Sequence, residues 1–208
     1  MVESLSESNE GIMNKQGING GFTLIELMVT LAIVAIVATL AVPSFRVFVQ
    51  NNRLTAQNNA LITALNIARS EAGKRRQTIT VCASSNGTGC NTSQWELGWL
   101  VFSDLDSDAT PDVDTRACLA TEDCIIQTSG LLQGGNTLRT SGFANTGFIQ
   151  YNTRGTLNST GTYTLCDDRG AVEARAANIN LTGRASQGVD GNGNSIVENL
   201  AGADVSCP

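Results

Sequence analysis

The sequence has 208 residues, 41% hydrophobic, 15% charged and 5% aromatic, enough for one ordinary core with appendages and neither fibrous nor wholly disordered. It holds no histidine, which removes Ser-His-Asp and Cys-His nucleophile pairs, His-ligated zinc and a histidine general base. The formal net charge of −6 does not favour a polyanion such as DNA as partner, and no other catalytic constellation can be assembled, so the chain reads as a non-enzyme with no cofactor.

Residues 1–21 form a polar leader with Glu3, Glu7, Glu10 and a single cation, Lys15. Residues 22–42 read FTLIELMVTLAIVAIVATLAV, which at 1.5 Å per helical residue spans about 31 Å, the thickness of a bilayer core. A secretory signal peptide would have an apolar region of only about 7 to 15 residues followed by a small-x-small site. Here the marked site, Gly20-Gly21-Phe22, precedes the apolar run. Glu26 lies inside the first turns of that run, where a carboxylate costs roughly 2.5 to 3.5 kcal/mol and needs a partner. Cleavage before Phe22 would create an α-ammonium as its counter-charge, on the same or a neighbouring subunit.

Residues 43–76 are expected to continue as an amphipathic helix into the head, because Leu54, Leu61, Leu65 and Ala68 keep the spacing of one helical stripe. Pro43 is expected to kink that helix. Gly73 followed by Lys74, Arg75 and Arg76 reads as its stop, with cations suited to the helix dipole. Residues 22–76 carry six cations and two acids, whereas 77–208 carry six cations and fourteen acids, a basic stem under an acidic head.

Residues 77–208 turn to short alternating segments separated by Gly, Asn, Ser and Thr. Ile79 and Val81 alternate with Thr78, Thr80 and Cys82, Tyr163 and Leu165 with Thr162 and Thr164, and Ile179 and Leu181 with Asn178 and Asn180, the pattern of strands with one buried face. Trp95 to Phe102 and Gly147 to Tyr151 add two more, and Trp95 and Trp99 read as core anchors. The expected fold is α+β, a long N-terminal helix packed on an antiparallel sheet head.

Asp104, Asp106 and Asp108 stand at positions one, three and five of a calcium-loop pattern, the candidate metal ligands of the chain. Ala109 and Thr115 replace the glycine and glutamate that such a loop requires, so the stretch, with Asp112 and Asp114, reads as an acidic hairpin turn. The run from Asp190 to Asn194 begins in the same way and fails at Ser195 and Ala201.

Six cysteines, Cys82, Cys90, Cys118, Cys124, Cys166 and Cys207, have no Cys-x-x-Cys pair and suit a disulfide framework in an oxidising compartment better than zinc. Fifteen pairings are open. Nearest-neighbour pairing joins Cys82 with Cys90, Cys118 with Cys124 and Cys166 with Cys207, contributing about 2.5 kcal/mol for each short loop and about 4 for the long one.

At GFTLIELMVTLAIVAIVATLAVPSF the sequence resembles the type IV pilins and pseudopilins. WELGWLVFSDLDSD and LCDDRGAVEARAANINLTGR narrow the resemblance to the FimT/FimU/GspH group of minor pilins and pseudopilins. It implies cleavage between Gly21 and Phe22 by a prepilin peptidase, N-methylation of Phe22, and pairing of Glu26 with the amino end of an adjacent subunit. The implied protein is a minor pilin of the type IV pilus, held in the bacterial inner membrane by one span with its head in the periplasm. It then enters the pilus or cell surface among other minor and major pilins, in assembly initiation or at the tip. A type II secretion pseudopilin of the same fold is the alternative. Family leaders are short and basic, so translation is expected to start at Met13, giving MNKQGINGG. Some FimT-type members resemble DNA receptors with a Gly-Arg-x-Arg motif; here Gly183-Arg184-Ala185-Ser186 keeps one arginine. Arg169, Arg175 and Arg184 are the candidate DNA contacts, on a head whose acidity weighs against them.

Overall fold

The computed structural model describes residues 21–112 and 122–208. The chain divides into two compact units, residues 1–45 and 46–208, and one helix, α1 (Leu24–Arg75), supplies residues to both. In the first unit Thr23 opens the helix, its hydroxyl accepting the Glu26 N–H at 3.2 Å. The carboxylate of Glu26 sits in the first turn, where the helix dipole favours it. Thr30 and Thr39 donate their hydroxyls to the carbonyls of Leu27 and Ile36, so the polar atoms of the apolar stretch are satisfied within the helix. The helix continues through Pro43.

In the second unit α1 buries Leu54, Asn58, Leu61, Ala64, Leu65, Ala68 and Ala72, a stripe at steps of three and four. The expected stop at Gly73 is not where the helix ends. Gly73 stays helical, α1 runs to Arg75, and Arg76 takes the left-handed conformation at φ 56°, the turn that commonly closes a helix.

Eight strands follow: β1 (Thr78–Ala83), β2 (Trp99–Asp104), β3 (Cys124–Ser129), β4 (Thr137–Ser141), β5 (Phe148–Tyr151), β6 (Gly161–Cys166), β7 (Arg175–Ile179) and β8 (Ala185–Gln187). They form two four-stranded antiparallel sheets, in the orders β3-β2-β1-β5 and β4-β6-β7-β8, where the sequence suggested one. The helical stripe shares a single core with inward residues of both sheets, including Val81, Trp99, Val101, Tyr151, Tyr163, Leu165 and Ile179. Trp95 anchors that core, edge-on to Tyr163 at 4.8 Å and with its indole N–H on the Thr146 carbonyl at 2.8 Å.

Two segments depart from the expected strands. Trp95–Leu97 is a 3₁₀ turn, and Gly98 at φ 132° separates it from β2; a Cβ there would lie 2.3 Å from the Ser129 carbonyl oxygen. After Ile179 the chain leaves β7, since Asn180 accepts the Arg184 N–H and Gly183 turns at φ 74°, which leaves Leu181 exposed.

The strands also bury both faces where alternation implied one. β2 and β6 are buried at every position and β1 at every position after Thr78. The outer face of the first sheet holds Cys82, Leu100 and Phe102, packed with Cys90 and with Ile125 and Phe148 of the flanking strands. That of the second holds Cys166 and Ala176, packed with Ala174, Ile196, Val197, Val205 and Cys207. A disulfide lies in each outer cluster, Cys82–Cys90 and Cys166–Cys207, with Cα atoms 5.5 and 5.9 Å apart. Cys124 is also disulfide-bonded; Cys118, the partner expected from spacing, lies outside the described residues. The buried threonine Thr162 spends its hydroxyl on the Asn178 side chain at 2.7 Å.

Candidate functional site

Every residue from Gly21 to Phe48 is exposed, among them Phe22 at 84%, Leu24 at 77% and Leu40 at 73%. Such a continuous apolar surface is far larger than a soluble monomer tolerates in water, so it is built to be covered by lipid or by other helices. This helix holds a segment long and apolar enough to cross a membrane. Among the described residues Glu26 has no ion-pair partner, and nothing lies within 4 Å of where a Cβ on Gly21 would stand.

The candidate cation ligands do come together: carboxylate oxygens of Asp104, Asp106 and Asp108 lie within 4.8 Å of one another. Asp104 ends β2, fully buried, and its Oδ2 accepts from the Thr80 hydroxyl at 2.5 Å, the Gln150 amide at 2.9 Å and the Ala109 N–H at 3.1 Å. Asp106 and Asp108 are exposed and accept the N–H groups of Asp108 and Thr110, two Asx turns in succession. Buried Asp123 accepts the Leu105 and Asp112 N–H groups, and burial outweighs these bonds in raising its pKa. Asp112 is raised too, chiefly by the Asp106 carboxylate. Asp114 lies outside the described residues. In the other loop Asp190 accepts the Gly193 and Ser195 N–H groups, which lower its pKa, and Asp204 accepts the amides of Asn192 and Asn194.

The three arginines singled out for DNA do not form one set. Arg169 is held by Asp167, with bonds of 2.6 and 3.0 Å to one carboxylate oxygen, and by Glu173 at 3.5 Å. Burial pushes Asp167 up, but the side-chain and backbone bonds from Arg169 together with the Arg169 and Arg175 charges outweigh it, so Asp167 sits below the ordinary range. Arg175 is spent on the carbonyls of Glu173 and Ala174.

Arg184 stands elsewhere. The Gly183 backbone presses against Gly155, so that a Cβ on Gly183 would lie 2.3 Å from the Gly155 carbonyl oxygen, and that same oxygen accepts Arg69 Nε at 3.3 Å. Beside them opens a cleft of about 420 Å³ lined by Asn66, Arg69, Ser70, Gly73, Lys74, Arg154 and Gly155. In the sequence Arg69 and Lys74 are two of the six cations of residues 22–76, and Arg154 belongs to no motif. The only local signal was Arg154 before Gly155 in a turn, where Asn152 accepts the Arg154 N–H.

Residues 57–183 match the family model for type II transport protein GspH, and residues 18–42 match the prokaryotic N-terminal methylation motif. The chain belongs to the GspH family. It is 29% identical over 97 residues to the type IV major fimbrial protein FimA of Dichelobacter nodosus, covering 47% of this chain and 53% of that one. The chain therefore spans about half the length of that curated relative. Two crystal forms of the Pseudomonas aeruginosa type IV minor pilin FimU are similar at 20% identity. One covers 67% of this chain and 91% of that chain with TM-score 0.49, the other 64% and 91% with TM-score 0.46. The α+β fold described above is that of a GspH family member.

Proposed function

We propose that the chain is a minor pilin of a type IV pilus, taking part in assembly initiation or tip structure. The observation that carries this reading is the bare apolar half of α1, preceded by Gly21-Phe22 and bearing Glu26 in its first turn. In this reading residues 1–21 are removed, 22–42 are stored in the inner membrane, 43–76 join the helix to the head, and 77–208 face the periplasm. Phe22, once freed and methylated, carries a positive charge that offsets the Glu26 carboxylate of a neighbouring subunit, so docking relieves the cost of a charge in hydrocarbon. Helix packing then replaces lipid contacts as the subunit leaves the bilayer.

Intact mass with N-terminal sequencing, on protein from native membranes and from sheared surface filaments, tests the reading. A chain starting at methylated Phe22 and present in filaments supports it. An uncleaved chain confined to membranes overturns it. The match to type II transport protein GspH favours a second reading, a secretion pseudopilin processed in the same way. A deletion strain separates the two: lost surface piliation marks the pilin, whereas normal piliation with secreted proteins retained in the periplasm marks the pseudopilin.

A further inference from the structure

The last turns of α1 meet the turn between β5 and β6 at the cleft of about 420 Å³, which takes Arg69 and Lys74 from the helix and Arg154 from the turn and has no acid among its lining residues. The turn is held by its own bonds. Asn152 Oδ1 accepts the N–H groups of Arg154 at 2.9 Å and Thr156 at 3.2 Å, Asn152 Nδ2 donates to the Thr156 hydroxyl at 2.6 Å, and the Gly155 N–H donates to the Asn152 carbonyl at 2.7 Å. Gly155, at φ 72°, then lies against α1: a Cβ there would stand 3.1 Å from Arg69 Cγ, and the Gly155 carbonyl accepts from Arg69 Nε at 3.3 Å. The fold thus positions the Arg69 side chain and the Arg154 backbone. Among the described residues neither guanidinium is paired with a carboxylate, whereas Lys74 has Glu71 at 3.1 Å, which Arg75 shares.

Two positive charges are therefore left uncompensated on one small concave surface, with the Asn66 amide and the Ser70 hydroxyl beside them as neutral donors. A guanidinium offers a planar fork of N–H groups that matches the oxygens of a carboxylate or a phosphate. Charge decides between these two. A phosphate monoester carries roughly −1.5 to −2 near neutral pH and so offsets both arginines, whereas a single carboxylate leaves one of them unmatched. The volume falls within the roughly 300–1,000 Å³ of small-molecule sites, which leaves room beside the phosphate for the group that bears it. We propose that this cleft is a binding site for a phosphate monoester, with Arg69 and Arg154 on the phosphate oxygens, Lys74 adding its charge, and Asn66 and Ser70 meeting the hydroxyls of the compound that carries it. Arg169, Arg175 and Arg184 do not line the cleft, so the site is separate from the arginines of the C-terminal sequence motif. It is built within the head and is independent of which filament the chain serves.

The test is calorimetric titration of the full mature chain in nonionic micelles, in a phosphate-free buffer of low ionic strength, with inorganic phosphate, glucose 6-phosphate, glucose, acetate and a short single-stranded oligonucleotide. Inorganic phosphate and glucose 6-phosphate are expected to bind once per chain, and glucose and acetate to give no heat beyond dilution. Tighter binding of glucose 6-phosphate assigns the site to a phosphorylated small molecule, and equal binding assigns it to free phosphate. Added salt should weaken both, since exposed charges are screened within about 10 Å at 0.1 M. Arg69→Gln and Arg154→Gln should each weaken binding at least about tenfold, and Arg154→Lys, which keeps the charge without the fork, should lose less. Arg184→Gln should leave the affinity unchanged. Arg154 is exposed and its side chain has no bond to the rest of the head among the described residues, so Arg154→Gln should melt as wild type does without ligand and carries the test even if Arg69→Gln disturbs the contact with Gly155. No binding of either phosphate, equal binding of acetate, or an affinity that survives Arg154→Gln overturns the proposal. So does an oligonucleotide that binds through Arg184 while glucose 6-phosphate does not bind, which would give this surface to nucleic acid.

Discussion

The two ends of α1 have the same backbone and opposite surroundings. From Leu54 to Ala72 the helix keeps a narrow apolar stripe and buries it on the sheets, whereas from Leu24 to Phe48 it is apolar almost all round and exposed among the described residues. A stripe is the mark of a helix with a core on one side and water on the other; apolarity on every face belongs to a helix whose solvent is lipid or other helices. One element therefore has two jobs. Its second part belongs to the head's own stability, and its first part is a bare apolar surface suited to lipid or to other helices.

Substitutions at matched apolar positions should separate those jobs. Leu61→Ala or Leu65→Ala empties a fully buried site and should destabilise the head by about 2–5 kcal/mol in urea unfolding. Leu31→Ala, on the exposed part, should leave that unfolding curve unchanged, and equal losses at both sites would abolish the distinction. Removing the Cys166–Cys207 bridge with a Cys207→Ser, Cys166→Ser pair should cost about 4 kcal/mol, read in the same assay. Gly183→Ala should cost about 1–3 kcal/mol, because φ 74° and the Gly155 carbonyl both resist a Cβ. Glu26→Ala should leave head stability and cleavage before Phe22 as in wild type while filament recovery falls; normal recovery would sever the charge from assembly.

The smallest effect concerns acid. The folded-state pKa of Asp167 is depressed, so the stability it contributes is present above the unfolded value and is lost as pH falls through the folded one. Arg169→Gln should flatten the acid side of a thermal-melt profile, below the ordinary carboxylate range, where a depressed carboxylate titrates.

The helix, the strand centres and the two tryptophan anchors were legible because each is written in local periodicity. The number of sheets was not, because β1, β2 and β6 bury both faces, and the residues clustered on their outer sides come from distant parts of the sequence, such as Phe148 with Cys82 and Leu100, and Val205 with Cys166 and Ala176. Gly98 and Gly183 interrupt apparent strands through close approach to Ser129 and Gly155, contacts with no local signature. The same holds for the charged surfaces. Arg169 and Arg184 look alike in sequence, yet one is locked by Asp167 two residues before it and the other follows a glycine whose backbone presses on Gly155. Spacing finds an acidic turn such as Asp104 to Asp108, since its members are consecutive. It cannot find a cleft assembled from α1 and the β5–β6 loop.

The Cys166–Cys207 bridge closes the last forty-odd residues into a ring fastened to the second sheet. An extracellular protease that nicks an exposed peptide within that ring, for instance in the loop from Asp190 to Asn194, would cut the chain without shedding a piece. The severed ends would stay tethered at the sulfurs, so the cut head would remain one covalent piece.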